Sequence, residues 1–175
     1  MVICPAGSIF HCLSHFEMID ESSMQLLHAE GYNDTQINAQ LSMLGSKFFS
    51  SFARSPMEAI LKVCPDINDM RFQPDSDGKV RLSFKYGQNI GTRNIIRIDA
   101  LSREELSSFR TEERNGLLVN KVKTDKIVLT DECQLVLSAN NGNYSVVTIY
   151  PGEMAPPLPG YGEKDPFWNT HCFIE

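Results

Sequence analysis

No stretch of this 175-residue chain stays apolar long enough to cross a bilayer as a helix, which needs about 20 residues. The opening run, MVICPAGSIFHCLSHF, has no basic region ahead of its apolar positions and does not read as a secretory leader. Positive charge is also short: 16 Lys and Arg stand against 22 Asp and Glu, a net charge of -6. Such a chain is repelled by phosphate on average, which counts against nonspecific nucleic-acid binding but leaves room for a local basic patch. Five cysteines at irregular spacing (Cys4, Cys12, Cys64, Cys133, Cys172) do not make a disulfide framework. They read as reduced, buried thiols of a cytosolic protein. Phosphate-binding glycine loops, a serine elbow and a zinc ribbon are all missing.

What is present is an ordinary globular composition, 42% hydrophobic and 22% charged. The first part reads as helical. Ile9, Phe10, Leu13 and Phe16 recur at helical spacing, and Asp20 is placed to cap a helix that stops at Gly31. NDTQINAQLSMLGSKFFSSF puts Ile37, Leu41, Leu44, Phe48 and Phe52 on one helical face. Ser55, Pro56 and Glu58 open a further short helix with a capping box.

After the turn cluster PDSDG the period changes to two. KVRLSFKY alternates, RNIIRID and GLLVNKVKT are strand-like, and Ser102 with Glu105 forms a capping box over an inserted helix. CQLVLSANNGNYSVVTIYP predicts a hairpin turning at Asn-Gly, and FWNTHCFI a last strand. The expected class is α+β: a helical portion over 1–70, packed on a mostly antiparallel sheet of about four to six strands over 75–175. The helical portion is too small for a strong core alone, so a single domain overall is the alternative.

His171 is the main candidate for chemistry. On a strand it shares a face with Asn169 and Phe173, opposite Thr170, Cys172 and Ile174; in the preceding strand Val146, Thr148 and Tyr150 share a face opposite Val147 and Ile149. If those strands are neighbours, an imidazole meets two hydroxyls. The plain alternative is a histidine that hydrogen-bonds at a sheet surface. Arg93, Arg97, Arg110, Arg114, Lys121, Lys123 and Lys126 alternate with acids, which reads either as a solvated mixed face or, locally, as a phosphate-binding patch. His11 and His15 are four apart with Cys12 between, but no second pair completes a metal site. The loop PGEMAPPLPGYGEKDP is stiffened by proline, and reads as a functional loop or a rigid cover over an apolar edge.

The ordered series GTRNIIRIDALSREEL, VLTDECQLVLS, SVVTIYPGEMAPPLP and FWNTHCFI, over about residues 88–175, resembles the ribonuclease modules of bacterial polymorphic and contact-dependent inhibition toxins, those of the barnase/colicin-type (BECR) fold. The resemblance implies a metal-independent ribonuclease toxin or effector that needs no cofactor. His171 would be general base or acid, Thr148 would position the scissile phosphate, and Tyr150 would bond phosphate or stack on a base. Arg93, Arg97 or Lys121 would stabilise the developing charge, and Trp168, Lys123 and Thr130 are the further candidates for substrate contact. RNA and a cognate immunity protein are the implied partners, with no membrane. The competing expectation is a non-catalytic interaction module, or a chaperone-bound secreted effector, using the proline-rich loop and aromatic C-terminus.

Overall fold

The computed structural model describes residues 1–114, 116–156, 158 and 166–175. In chain order the elements begin with β1 (Val2–Ile3), α1 (Ala6–Cys12), a 3-10 turn at Leu13–His15, α2 (Glu21–Ala29), α3 (Asp34–Leu41), β2 (Lys47–Phe48) and α4 (Pro56–Val63). There follow β3 (Lys79–Lys85), β4 (Gly91–Arg93), β5 (Ile95–Arg97), α5 (Arg103–Leu106), β6 (Arg110–Arg114) and β7 (Leu117–Val122). The last are β8 (Val128–Thr130), β9 (Glu132–Asn140), β10 (Asn143–Pro151), a 3-10 turn at Pro166–Asn169 and β11 (His171–Ile174). The class is α+β, helices first. Among the described residues the strands divide over three sheets, ordered β1-β10-β9-β3, β5-β11-β7-β6 and β2-β4-β8. No helix among these residues is long and apolar enough to cross a membrane.

The chain forms two compact units, one of residues 1–92 and 129–153, the other of 93–128 and 154–175. In the first, local signals set the helix starts. The Asp20 carboxylate accepts from the Ser23 amide at 2.8 Å, and Asn33 and Gln36 close a capping box on α3. Ser55 caps α4 through the Glu58 amide at 3.1 Å. The expected box is not closed there: the Glu58 carboxylate reaches one residue further back, to the Arg54 amide at 2.7 Å. Asn141 and Gly142 take positive φ angles of 47° and 85°, the pair of left-handed residues that a two-residue hairpin turn requires, and fold β9 onto β10.

The long helix expected from Ile37 to Phe52 does not form. α3 ends at Leu41, Leu44 is exposed, and Phe48 belongs to β2. Phe48 is fully buried between Phe16 and Phe52, ring centres 5.2 and 5.9 Å away, in a core with Ile60, Ile67, Ile90, Leu135, Leu137 and Ile149. A spacing of four residues is shared by a helix stripe and by a strand beyond a break, and Gly45 and Ser46 supply the break.

β2 lies against β4 with Phe48 opposite Gly91, and a Cβ at Gly91 would stand 2.3 Å from the Lys47 carbonyl oxygen. Gly91→Ala must therefore push β2 away from β4. A loss of about 1–3 kcal/mol, typical of overpacking, is expected in denaturant titrations, against less than about 0.5 kcal/mol for Gly45→Ala, where a Cβ meets open space.

β10 corrects the expected faces. Val146 pairs with Leu137 and Thr148 with Val136, so Val147 is an extra residue in a bulge. The bulge switches the buried side from even to odd numbers, and Val146 and Ile149 enter the same core.

In the second unit β11 is central, antiparallel to β5 and parallel to β7. Ile96, Leu101, Val122 and Cys172 form its core. The Ser102–Glu105 capping box forms as read from the sequence, with bonds of 2.8 and 3.1 Å. The segment FWNTHCFI is a strand only over its second half; its first half is the 3-10 turn.

Candidate active site

The turn at Pro166–Asn169 delivers His171. The Thr170 amide and hydroxyl both donate to the Phe167 carbonyl, at 3.1 and 3.0 Å. His171 Nδ1 lies 3.0 Å from that same carbonyl and 2.9 Å from Thr170 Oγ1. The imidazole stacks on the Phe167 ring with centres 3.8 Å apart and planes within 6°. The ring is half-buried, so it is fixed on one side without being sealed in the core.

β5 then supplies a cation. His171 and Arg97 are register partners across the β11–β5 ladder, and directly opposed residues of an antiparallel pair project from the same face. The Arg97 guanidinium is held by Asp99 through two bonds of 3.0 Å. That contact holds the Asp99 carboxyl below its usual range, with a smaller contribution from His171. Next in the chain, Ile98, Asp99, Leu101, Leu106, Asn169 and Thr170 line a cleft of about 470 Å³. Asp99 and Thr170 thus belong both to the histidine's surroundings and to a space wide enough for a ligand. Cys172 is fully buried on the other side of the strand, where burial pushes its thiol up, and it makes no dyad with His171.

Arg110, Lys121 and Lys126 are engaged with acids. Lys121 pairs with Glu112 at 2.9 Å, and Glu112 is shared with Arg110, which also pairs with Glu175. Lys126 pairs with Glu105, whose carboxyl, also bonded by Thr124 and the Ser102 amide, is pulled down to about 2. Lys123 is exposed and lines a broad surface hollow with Lys126 and Glu105. Arg93 ends β4, half-buried.

Two candidates for substrate contact are structural. Trp168 is 6% exposed, packed edge-on to Phe167 and against Phe173 with ring centres 5.0 and 5.1 Å away, so it fills the interior instead of lining a cleft. Thr130 is buried, and its hydroxyl accepts from the Glu132 amide at 3.1 Å. The proline-loop reading falls largely on Pro157 and residues 159–165, which lie outside the described residues.

Thr148 and Tyr150 belong to the first unit. β10 pairs with β1 and β9, and β11 with β5 and β7, so no ladder among the described residues joins the strand of Thr148 and Tyr150 to that of His171. Within the first unit Thr148 and the Ile149 backbone hydrogen-bond the Cys12 thiol, and Tyr150 packs against His15 with ring centres 5.5 Å apart.

His15 donates from Nδ1 to the Ser46 carbonyl at 2.9 Å. Burial lowers its pKa below 6.5, opposed by the Ser46 carbonyl and assisted by Lys47 and His11. A base whose folded pKa is depressed must be charged at a cost as the pH falls below its unfolded value. Stability is therefore full above 6.5 and declines as the pH drops from there through the lowered folded pKa. Chemical denaturation of wild type and His15→Gln on both sides of that value should show the shallower pH slope in the variant.

Sequence reasoning missed Asp99, Asn169 and Thr170. The available signals were the four-residue spacing of Phe167 and His171 and the two-residue spacing of Arg97 and Asp99. No protein-family model, curated protein or solved structure matches the chain.

Proposed function

We propose that the chain is a metal-independent ribonuclease centred on His171 and Arg97. The observation that carries the reading is their cross-strand pairing beside an open cleft. Cleavage of RNA by its own 2′-hydroxyl needs that hydroxyl deprotonated, the charge on phosphorus matched, and the 5′-oxygen protonated as it leaves with the P–O bond's electrons. The imidazole takes the 2′ proton, the new 2′-oxygen–phosphorus bond closes a cyclic phosphate as the bond to the 5′-oxygen breaks, the imidazolium so formed returns its proton to that oxygen directly or through water, and the guanidinium faces the equatorial oxygens. Arg97 is available for this. Its tie to Asp99 is an exposed, solvent-screened ion pair, which a phosphate can displace. Toxin or effector action in a target cell, with an immunity protein as partner, is the biological setting this activity suits.

Purified protein incubated with total RNA in EDTA tests it. Fragments ending in 2′,3′-cyclic phosphate are expected, and intact RNA at high protein concentration would remove the reading. A non-catalytic interaction module is the second reading, favoured by the ion pairs on Arg110, Lys121 and Lys126, which neutralise cations that a nuclease could use. Intact RNA would select it.

A further inference from the structure

The turn that carries His171 also dictates where its proton sits. A carbonyl oxygen can only accept, so the 3.0 Å contact from His171 Nδ1 to the Phe167 carbonyl requires a hydrogen on Nδ1. The Thr170 hydroxyl agrees. Its own hydrogen is spent on the Phe167 carbonyl, which leaves Oγ1 as an acceptor toward Nδ1 at 2.9 Å. A neutral imidazole carries one ring hydrogen, so with Nδ1 protonated Nε2 is a bare lone pair. Among the described residues no hydrogen bond reaches Nε2. The parallel Phe167 ring at 3.8 Å limits the rotation that would exchange the two nitrogens.

We infer that Thr170 is a positioning residue that fixes His171 in the Nδ1–H tautomer and so presents Nε2 as the proton acceptor. Only the catalytic consequence rests on the ribonuclease reading; the tautomer follows from the turn. Phe167 supplies both the carbonyl and the stacking ring, Thr170 the second acceptor, and the segment Phe167–His171 is a self-contained clamp. Its neighbour Asp99 adds a negative charge close to the ring, and Arg97 a positive one that Asp99 balances.

The test is two-bond proton–nitrogen correlation spectroscopy of the full nitrogen-15-labelled chain, at a pH where the ring is neutral. The His171 signals are assigned by their loss in His171→Gln. Nε2 should resonate in the unprotonated range and Nδ1 in the protonated range. Thr170→Val removes one of the two acceptors and should lower the tautomer ratio roughly fivefold, the share of one neutral hydrogen bond, and Thr170→Ser should restore it. The same variant should leave KM unchanged and lower kcat only by the fall in the fraction of rings carrying the hydrogen on Nδ1, a smaller change than that in the ratio. Fluorescence of Trp168, the single tryptophan, reports whether the turn remains folded. A protonated Nε2 in the wild type, or a ratio unmoved by Thr170→Val, would overturn the inference. Intact RNA combined with the expected spectra would sink the nuclease reading while supporting the clamp.

Discussion

On the ribonuclease reading, His171→Ala should lower EDTA-resistant RNA cleavage by about 10²–10⁴-fold, the usual contribution of a positioned general acid or base. The expectation is this large because no adjacent group among the described residues can substitute. Cys172 is buried on the opposite side of the strand with its thiol pushed up, and Asp99, held below the ordinary carboxyl range by Arg97, is too weak a base. The substitution should leave the unit folded. The imidazole is half-buried, its two polar contacts are to the turn just before it, and the core of Ile96, Leu101, Val122 and Cys172 does not include it. The stacking contact with Phe167 is worth about 0.5–1.5 kcal/mol, a modest part of a domain's stability.

Arg97→Ala in parallel tests the charge-matching role, and Arg97→Lys should recover only part of the rate because an ammonium cannot present the planar fork. Initial rates on a short labelled RNA, with unfolding curves for each variant, separate chemistry from stability. Full activity in His171→Ala would move the active centre elsewhere in the molecule.

His171 and Arg97 were both legible as candidates, and their pairing was not, for a physical reason. A strand announces which residues share its face, because that follows from its own period. Register depends on a partner strand distant in sequence, and nothing near residue 171 names residue 97. Most features decided by hydrogen bonds to near neighbours were readable: the Ser102–Glu105 box, the Asp20 cap and the Asn-Gly turn formed as expected, and at α4 only the Glu58 half of the box went elsewhere.

Features decided across the fold were not. The bulge at Val147 exists only relative to β9, and it overturned a correct-looking alternation. β1, β2, β4 and β8 are two or three residues long, too short to show any period. The charged run RTEER becomes β6 because β7 offers it a ladder, a tertiary choice over intrinsic preference. The Lys121–Glu112 and Arg110–Glu175 ion pairs likewise join β6 to β7 and to the chain's last residue, so a list of cations could not show them neutralised.

Phe48→Ala, by contrast, should cost about 3–5 kcal/mol in the first unit, a large share of the roughly 5–15 kcal/mol that holds a domain together. Phe48 is fully buried, stands between Phe16 and Phe52, and occupies one of the two residues of β2. Its backbone is committed as well, since its carbonyl accepts from the Glu17 amide at 3.2 Å and the following amide donates to Ile90 at 2.9 Å. With neighbours pinned in this way the site cannot collapse onto the lost ring, and a cavity remains. Leu44→Ala is the matching control. Leu44 is 69% exposed, so its loss should stay within about 0.5 kcal/mol. The helical spacing of the sequence sets Leu44 and Phe48 on one buried stripe, which requires comparable losses from both, whereas a break at Gly45 and Ser46 requires a several-fold difference. Urea titrations of the two variants decide between these arrangements, and equal losses would return β2 to a helix.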